Sequence, residues 1–186
     1  CAAAGARTLA PIRGDGADDG NCGATNGDAM HAAICSSVAA GVTYVVAAGN
    51  DAADASTSTP AAYDEVITVS ALADFNGLPG GGAPSPCRSD VDDTFASFSN
   101  YGADVDIIAP GVCINSTWML GGYNTISGPS MASPHVAGAA ALYKSTHPSA
   151  TPAQVKAALQ STGSLDWSNA DDHDSTKERL LDVTTY

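Results

Sequence analysis

Gly128-Pro-Ser-Met-Ala-Ser-Pro-His-Val-Ala-Gly138 is the stretch on which the reading of this chain turns. A serine, Ser130, follows a Gly-Pro turn and opens a run of small and apolar residues that includes Val136, Ala137, Ala140, Ala141 and Leu142. The pattern predicts a helix over about residues 130–145, ended by His147-Pro148, nearly apolar all round and therefore buried. A hydroxyl in the first turn of such a helix stands beside unpaired backbone N–H groups and the positive end of the helix dipole, where developing negative charge is favoured. A nucleophilic serine that generates an oxyanion needs that setting. A plain helix cap looks the same, so the surroundings decide.

Upstream, Val42-Thr-Tyr-Val-Val-Ala-Ala48 is a continuous β-rich run, the mark of a strand buried on both faces. It ends at Gly49-Asn50-Asp51, and the carboxyl end of such a strand is where ligands bind in parallel sheets. Asn50 there either stops the strand in a turn or faces a ligand. Further strands are expected at 66–71 and 104–111, with a hairpin of 114–118 and 123–126 around Gly121-Gly122. Met30, Ile34 and Val38 recur at i, i+4 and i+8 and predict a helix from Asn26 to about Ala40, ended by Gly41. Thr151-Pro152 starts a short amphipathic helix to about Gln160. Residues 1–13 contain one short strand around 8–13, residues 76–94 are a Gly/Pro/Asp loop, and the tail from Gly163 is polar until Leu180. Strands alternating with helices imply an α/β domain with a mainly parallel sheet.

Composition narrows the function. The chain has 186 residues, 7 Lys+Arg against 20 Asp+Glu, and 44% hydrophobic residues. That length suits one domain with a real core, and the hydrophobic content excludes a disordered acidic tail. An acidic surface repels nucleic acid and anionic membranes, so neither is expected as a partner. No stretch approaches the roughly 20 apolar residues of a spanning helix. Five cysteines, at 1, 22, 35, 87 and 113, form no CxxC and have no histidine at zinc-finger spacing, so disulfides in an oxidising compartment fit better than a zinc site. Cys22 in the turn-rich segment is expected to pair with Cys35 in the following helix. Cys87 in the long loop is expected to pair with Cys113, and Cys1 is left over.

Taken together, Gly128–Gly138 and Ala47-Ala-Gly-Asn50 resemble the subtilisin-like serine proteases, the subtilase family. The family's nucleophile motif, Gly-Thr-Ser-Met-Ala-x-Pro-His-Val-Ala-Gly, is present with one change, Pro129 for Thr. Ser97-Phe-Ser-Asn-Tyr-Gly102 and Ile108-Ala-Pro-Gly111 are similar to family segments in the same order. The resemblance implies a three-layer subtilisin-like α/β fold and a secreted serine endopeptidase acting on polypeptides, with a propeptide or inhibitor as further partners. It makes Ser130 the nucleophile and Asn50 the side-chain donor to the oxyanion. Ala47, Ala48 and Gly49 become a wall of the substrate side-chain pocket. No cofactor is required for the chemistry. A structural Ca²⁺ is expected on the carbonyls of Asp64 and Val66 and the carboxylate of Asp106.

Two family motifs are not found. The family's order is Asp, then His, then Ser, yet neither a strand-end Asp-Thr/Ser-Gly nor a His-Gly-Thr-His occurs here. The four histidines, 31, 135, 147 and 173, lack the sequence context of the general base. The expectation is therefore an amino-terminally truncated catalytic domain over residues 1–186, inactive or nearly so by itself. The alternative is a pseudoprotease acting as a peptide-binding or structural module, favoured by Pro129 and by the altered stretch Pro11-Ile-Arg-Gly-Asp-Gly16 where a substrate strand belongs. An α/β-hydrolase needs Gly-x-Ser-x-Gly, which Gly128-Pro-Ser-Met-Ala132 breaks.

Overall fold

The structure, a computed structural model, describes residues 6–9, 14–174 and 176–186, with the backbone alone at 6–9 and 14–15. The spare thiol of Cys1 and residues 10–13 lie outside it. In chain order the elements are β1 (Ala6–Leu9), β2 (Gly14–Asp15), α1 (Ala29–Ala39), β3 (Thr43–Ala47), β4 (Ser58–Thr59), β5 (Ile67–Ala73), β6 (Thr94–Phe95), β7 (Ile107–Pro110), β8 (Ile114–Thr117), β9 (Tyr123–Ile126), α2 (Pro129–Thr146) and α3 (Pro152–Thr162). Strands β1, β3, β5 and β7 lie side by side and parallel. Beyond the end of β3, β6 pairs antiparallel with the last residues of β5. Two small antiparallel pairs, β2 with β4 and β8 with β9, stand off this sheet.

The alternation of side chains along the strands builds three layers. Val45, Ile67, Val69, Ala71, Ala73, Ile107 and Ala109 share one buried cluster with Ala132, Val136 and Ala140 of α2 and Val155 and Leu159 of α3. On the other side Val46 and Ala48 pack with Ile34 of α1 and with Ala61, Tyr63 and Val66, while Met30 and Val38 of the predicted apolar stripe lie partly buried against them. Burying Val155 and Leu159 contributes about 1.5–3 kcal/mol each. A capping box between Thr151 and Gln154 starts α3.

Two expectations are corrected. Helix α2 is not buried all round: Ala132, Ser133, Val136, Ala137, Ala139 and Ala140 face inward, whereas Pro134, His135 and Gly138 are exposed and Leu142 is 43% exposed. The helix covers one face of the sheet, and residues as small as Ala and Gly read as apolar on either side of it. The tail is also less polar in effect than its composition. Leu180 bridges to Ile108 and Ser164, and Trp167 packs with Leu72, Phe95 and Ile108. Among the described residues no helix is long and apolar enough to cross a membrane.

The indole N–H of Trp167 donates to the Glu178 carbonyl at 2.9 Å. The Glu178 side chain is buried, and among the described residues neither carboxylate oxygen has a hydrogen-bond partner. Burial, opposed by its own backbone N–H and reinforced by the charges of Asp172 and Asp174, pushes this carboxyl up to about 8. Between the ordinary carboxyl value and 8 the folded chain holds a proton that the unfolded chain releases, so stability falls as pH rises through that window. Glu178→Gln is expected to remove the loss: about 2–4 kcal/mol of added stability at pH 8 and little change at pH 4, read from urea melts at both values. Equal effects at the two pH values would refute it.

Candidate active site

The carboxyl end of β3 is shaped by one buried side chain from elsewhere in the chain. Ala48 N–H still donates to Val69 C=O, at 2.9 Å. The backbone then turns at Gly49, with φ +117°, against the amide of Asn100; a Cβ at Gly49 would meet Asn100 Nδ2 at 2.4 Å. Asn100 donates from Nδ2 to Ala48 C=O at 3.0 Å. Its Oδ1 accepts from Asp51 N–H at 2.9 Å and from Ala53 N–H at 3.2 Å. Its own N–H donates to Gly49 C=O at 3.0 Å. Residues 48–53 are thus wrapped around one amide, and Asn50 is held out at the rim, exposed. Asn100 was legible only as part of a motif; nothing in the sequence assigned it this role.

Ser130 arrives at the same rim from the end of β7. Gly111 N–H donates to Leu72 C=O at 2.9 Å, and Gly128 N–H donates to Gly111 C=O at 2.8 Å. The contact at Gly111 is close: a Cβ there would lie 2.7 Å from Ala71 Cβ and 2.9 Å from Gly128 O. Gly128 caps α2 and Pro129 is its first helical residue, a position where the missing N–H breaks no helical hydrogen bond. The backbone therefore accepts Pro129, and Ser130 takes the first turn.

The two motifs meet across Gly128. A Cβ added there would sit 3.1 Å from Asn50 Oδ1 and 3.7 Å from Ser130 N, so the Asn50 amide lies against the turn that delivers Ser130. Among the described residues, no hydrogen bond engages the Asn50 amide, the Ser130 hydroxyl or the Ser130 N–H. Unengaged donors beside a hydroxyl at a helix N-terminus can stabilise charge on a carbonyl oxygen attacked by that hydroxyl. Ala47, Ala48, Gly49 and Asn50 line a cleft of about 210 Å³ with Ser58, Thr59, Pro60 and Ala61. That is below the roughly 300–1,000 Å³ of sites for whole small ligands and suits one side chain. A larger cavity, about 730 Å³, lies between residues 79–82, 91–94 and 165–168. It contains neither Asn50 nor Ser130, whereas Asn50 lines the smaller cleft.

The four histidines are engaged elsewhere. His31 Nε2 lies 2.9 Å from Glu65 Oε2, His135 Nδ1 lies 2.8 Å from Met131 O, His147 stacks on Tyr143, and His173 packs on Tyr101. No hydrogen bond joins any of them to Ser130. Both expected disulfides are formed, Cys22–Cys35 with Cα atoms 5.9 Å apart and Cys87–Cys113 with 5.8 Å.

The oxygens assigned to Ca²⁺ do converge, but a side chain of the chain itself supplies the cation. Lys156 Nζ donates to Val66 C=O at 2.9 Å and to Asp64 C=O at 3.3 Å, and pairs with Asp106 Oδ1 at 2.8 Å. At Asp64, Val66 and Asp106, the residues assigned to the metal, an ammonium on α3 reaches back to the spot, a long-range contact that spacing does not reveal. Burial raises the Asp106 carboxyl, and the Lys156 charge opposes the rise. Lys156→Ala is expected to cost about 2–3 kcal/mol at neutral pH by leaving a buried carboxylate unpaired. It should also make the melting temperature respond to millimolar Ca²⁺, with the response lost in the Lys156→Ala/Asp106→Asn double variant. A single variant indifferent to Ca²⁺ would show that these oxygens cannot hold a metal.

Comparison with known proteins bears on this geometry. The model of the subtilase family, Peptidase_S8, matches residues 1–180. The extracellular serine proteinase of a Thermus species is 46% identical over 133 residues, covering 70% of this chain and 28% of that protein. Subtilisin E of Bacillus subtilis is 41% identical over 143 residues, covering 75% of this chain and 33% of that protein. The crystal structure of a cold-adapted subtilisin-like serine proteinase superposes with a TM-score of 0.71 at 34% identity, covering 94% of this chain and 54% of that one. The chain thus spans about a third or less of these curated relatives and about half of the solved structure.

Proposed function

The chain belongs to the subtilase family, and from that premise we propose that it supplies the nucleophile, the oxyanion donors and one substrate wall of a secreted serine endopeptidase. The observation that carries the proposal is the meeting of Asn50 and Ser130 across Gly128, with their polar groups unengaged. In this reading Ser130 Oγ bonds to the scissile carbonyl carbon. The carbonyl oxygen takes the negative charge and accepts hydrogen bonds from the Asn50 amide and the Ser130 N–H. The C–N bond then breaks, the amine leaves with the proton that Ser130 lost, and water releases the acyl group. The substrate residue before that bond places its side chain against Ala47, Ala48 and Gly49, small residues that leave room and supply no charge.

The proton needs a base. All four histidines are engaged elsewhere, and in this reading the base and its orienting carboxylate come from outside these 186 residues, leaving the chain alone inactive or nearly so. Secretion accords with the two disulfides and with the extracellular Thermus relative. Polypeptides are the substrate class, and a propeptide or inhibitor would occupy the same cleft. The second reading, a pseudoprotease module that binds peptides without cleaving them, rests on Pro129, which replaces the hydroxyl-bearing residue before the nucleophile. To separate the two, the part of subtilisin E that precedes the matched stretch is fused to this chain and assayed with a chromogenic peptide. Hydrolysis abolished by Ser130→Ala supports the protease. A folded fusion that binds peptide without turnover supports the module.

A further inference from the structure

The first turn of α1 holds a histidine in surroundings that neither the fold nor the proposed chemistry requires. Asp28 caps the helix, its Oδ1 accepting from Met30 and His31 N–H, and so turns His31 inward, where it is fully buried. The ring stacks on Tyr63 with centroids 3.9 Å apart, and the Tyr63 hydroxyl donates to Asp28 Oδ2. Nε2 lies 2.9 Å from Glu65 Oε2. A carboxylate only accepts, so Nε2 donates to Glu65, and Nδ1 is the ring nitrogen left to face a ligand. Yet among the described residues Nδ1 is buried without a hydrogen-bond partner and looks at Asp19 Oδ1 at 3.4 Å and Asp18 Oδ1 at 3.7 Å.

Two carboxylates converging on one buried ring nitrogen call for positive charge between them, and a metal ion ligated by all three atoms supplies it. We propose that Asp18, Asp19 and His31 form a binding site for a first-row divalent transition metal, Zn²⁺ foremost, with Glu65 orienting the histidine. Ligands about 2.1 Å from a tetrahedral ion stand about 3.4 Å from one another, close to the 3.4 and 3.7 Å that separate Nδ1 from the two carboxylate oxygens. A metal-bound histidine that donates its other N–H to a carboxylate is the usual second-shell arrangement. The carboxylates are also aimed in advance. Asp19 accepts from the N–H groups of Asn21, Gly23 and Thr25, and Asp18 from those of Gly20 and Asp64. An imidazole nitrogen in the set favours Zn²⁺ over Ca²⁺ or Mg²⁺, which take oxygen. The fourth position is left to water. A metal here clasps the 18–25 loop and α1 to the 61–66 segment, whose first residue lines the cleft beside Asn50. The proposal stands apart from the peptidase reading.

The test uses the whole chain, stripped with a chelator and its disulfides intact. Zn²⁺ is titrated by calorimetry, and Co²⁺ is followed by visible absorption, which reports tetrahedral ligation. One equivalent of each is expected to bind, with Zn²⁺ raising the melting temperature by several degrees and Ca²⁺ leaving it unchanged. His31→Gln should abolish binding, and Glu65→Gln, at a partly exposed position, should weaken it about 10–100-fold. If His31→Gln does not fold, Glu65→Gln and Asp18→Asn carry the comparison. The site is overturned if the unaltered chain binds neither ion, if Glu65→Gln and Asp18→Asn bind as well as it does, or if binding appears only after Cys22–Cys35 is reduced. The last outcome would assign the metal to thiolates.

Discussion

Asn100→Ala is expected to lower folding stability by about 3–5 kcal/mol and to distort the rim that carries Asn50 at the same time. The side chain is fully buried and answers three backbone groups, Ala48 C=O and the N–H groups of Asp51 and Ala53. Each buried polar group left without a partner costs about 1–3 kcal/mol, and water entering the cavity would recover part of the sum. Asn100→Asp keeps the accepting oxygen but loses the donor to Ala48 C=O and buries a charge, so it should be no milder at pH 7. Urea unfolding of the three chains measures the loss. A change below about 1 kcal/mol would mean that residues 48–53 hold their shape without Asn100, and Gly49 would then need another explanation for its φ.

In the active fusion with the leading part of subtilisin E, Asn50→Ala is expected to lower kcat about 10²–10³-fold with KM nearly unchanged. The magnitude is taken from the corresponding oxyanion asparagine of a subtilisin. The separation of kcat from KM follows because the amide contacts the oxygen only once it carries charge. Asn50 is exposed and makes no hydrogen bond among the described residues, so stability should move by less than about 0.5 kcal/mol. A rise in KM with kcat preserved would make Asn50 a substrate contact and remove it from the oxyanion site.

Much of the fold could be read because its signals are local. Val42–Ala48 and Val66–Ala71 carry β-branched runs, Met30, Ile34 and Val38 keep a helical period, and the strands and helices formed within a few residues of those marks. The disulfides were legible for the same reason, each joining a loop to a nearby element. What escaped was long-range. Asn100 reaches back to Gly49 and Lys156 fills the cation position at Asp106, partners about fifty residues apart, and the Glu178 carbonyl meets the Trp167 indole across a loop. Alanine hid the exposed side of α2, because a small side chain is at home on either side of a helix. The histidine of α1 was located, but its carboxylate neighbours come from the 18–19 turn and from Glu65, which only folding unites.

The central claim is that Ser130 is the nucleophile and that its base lies outside these residues. It is tested most directly by intact-mass measurement after treatment with a fluorophosphonate, which phosphonylates a serine only where a base activates it. The 186-residue chain alone should gain no adduct. The fusion carrying the leading part of subtilisin E should gain one, mapping to Ser130 and absent from Ser130→Ala. An adduct on Ser130 in the chain alone would place a working base among residues 1–186, and an adduct on any other residue of the fusion would remove Ser130 from the chemistry.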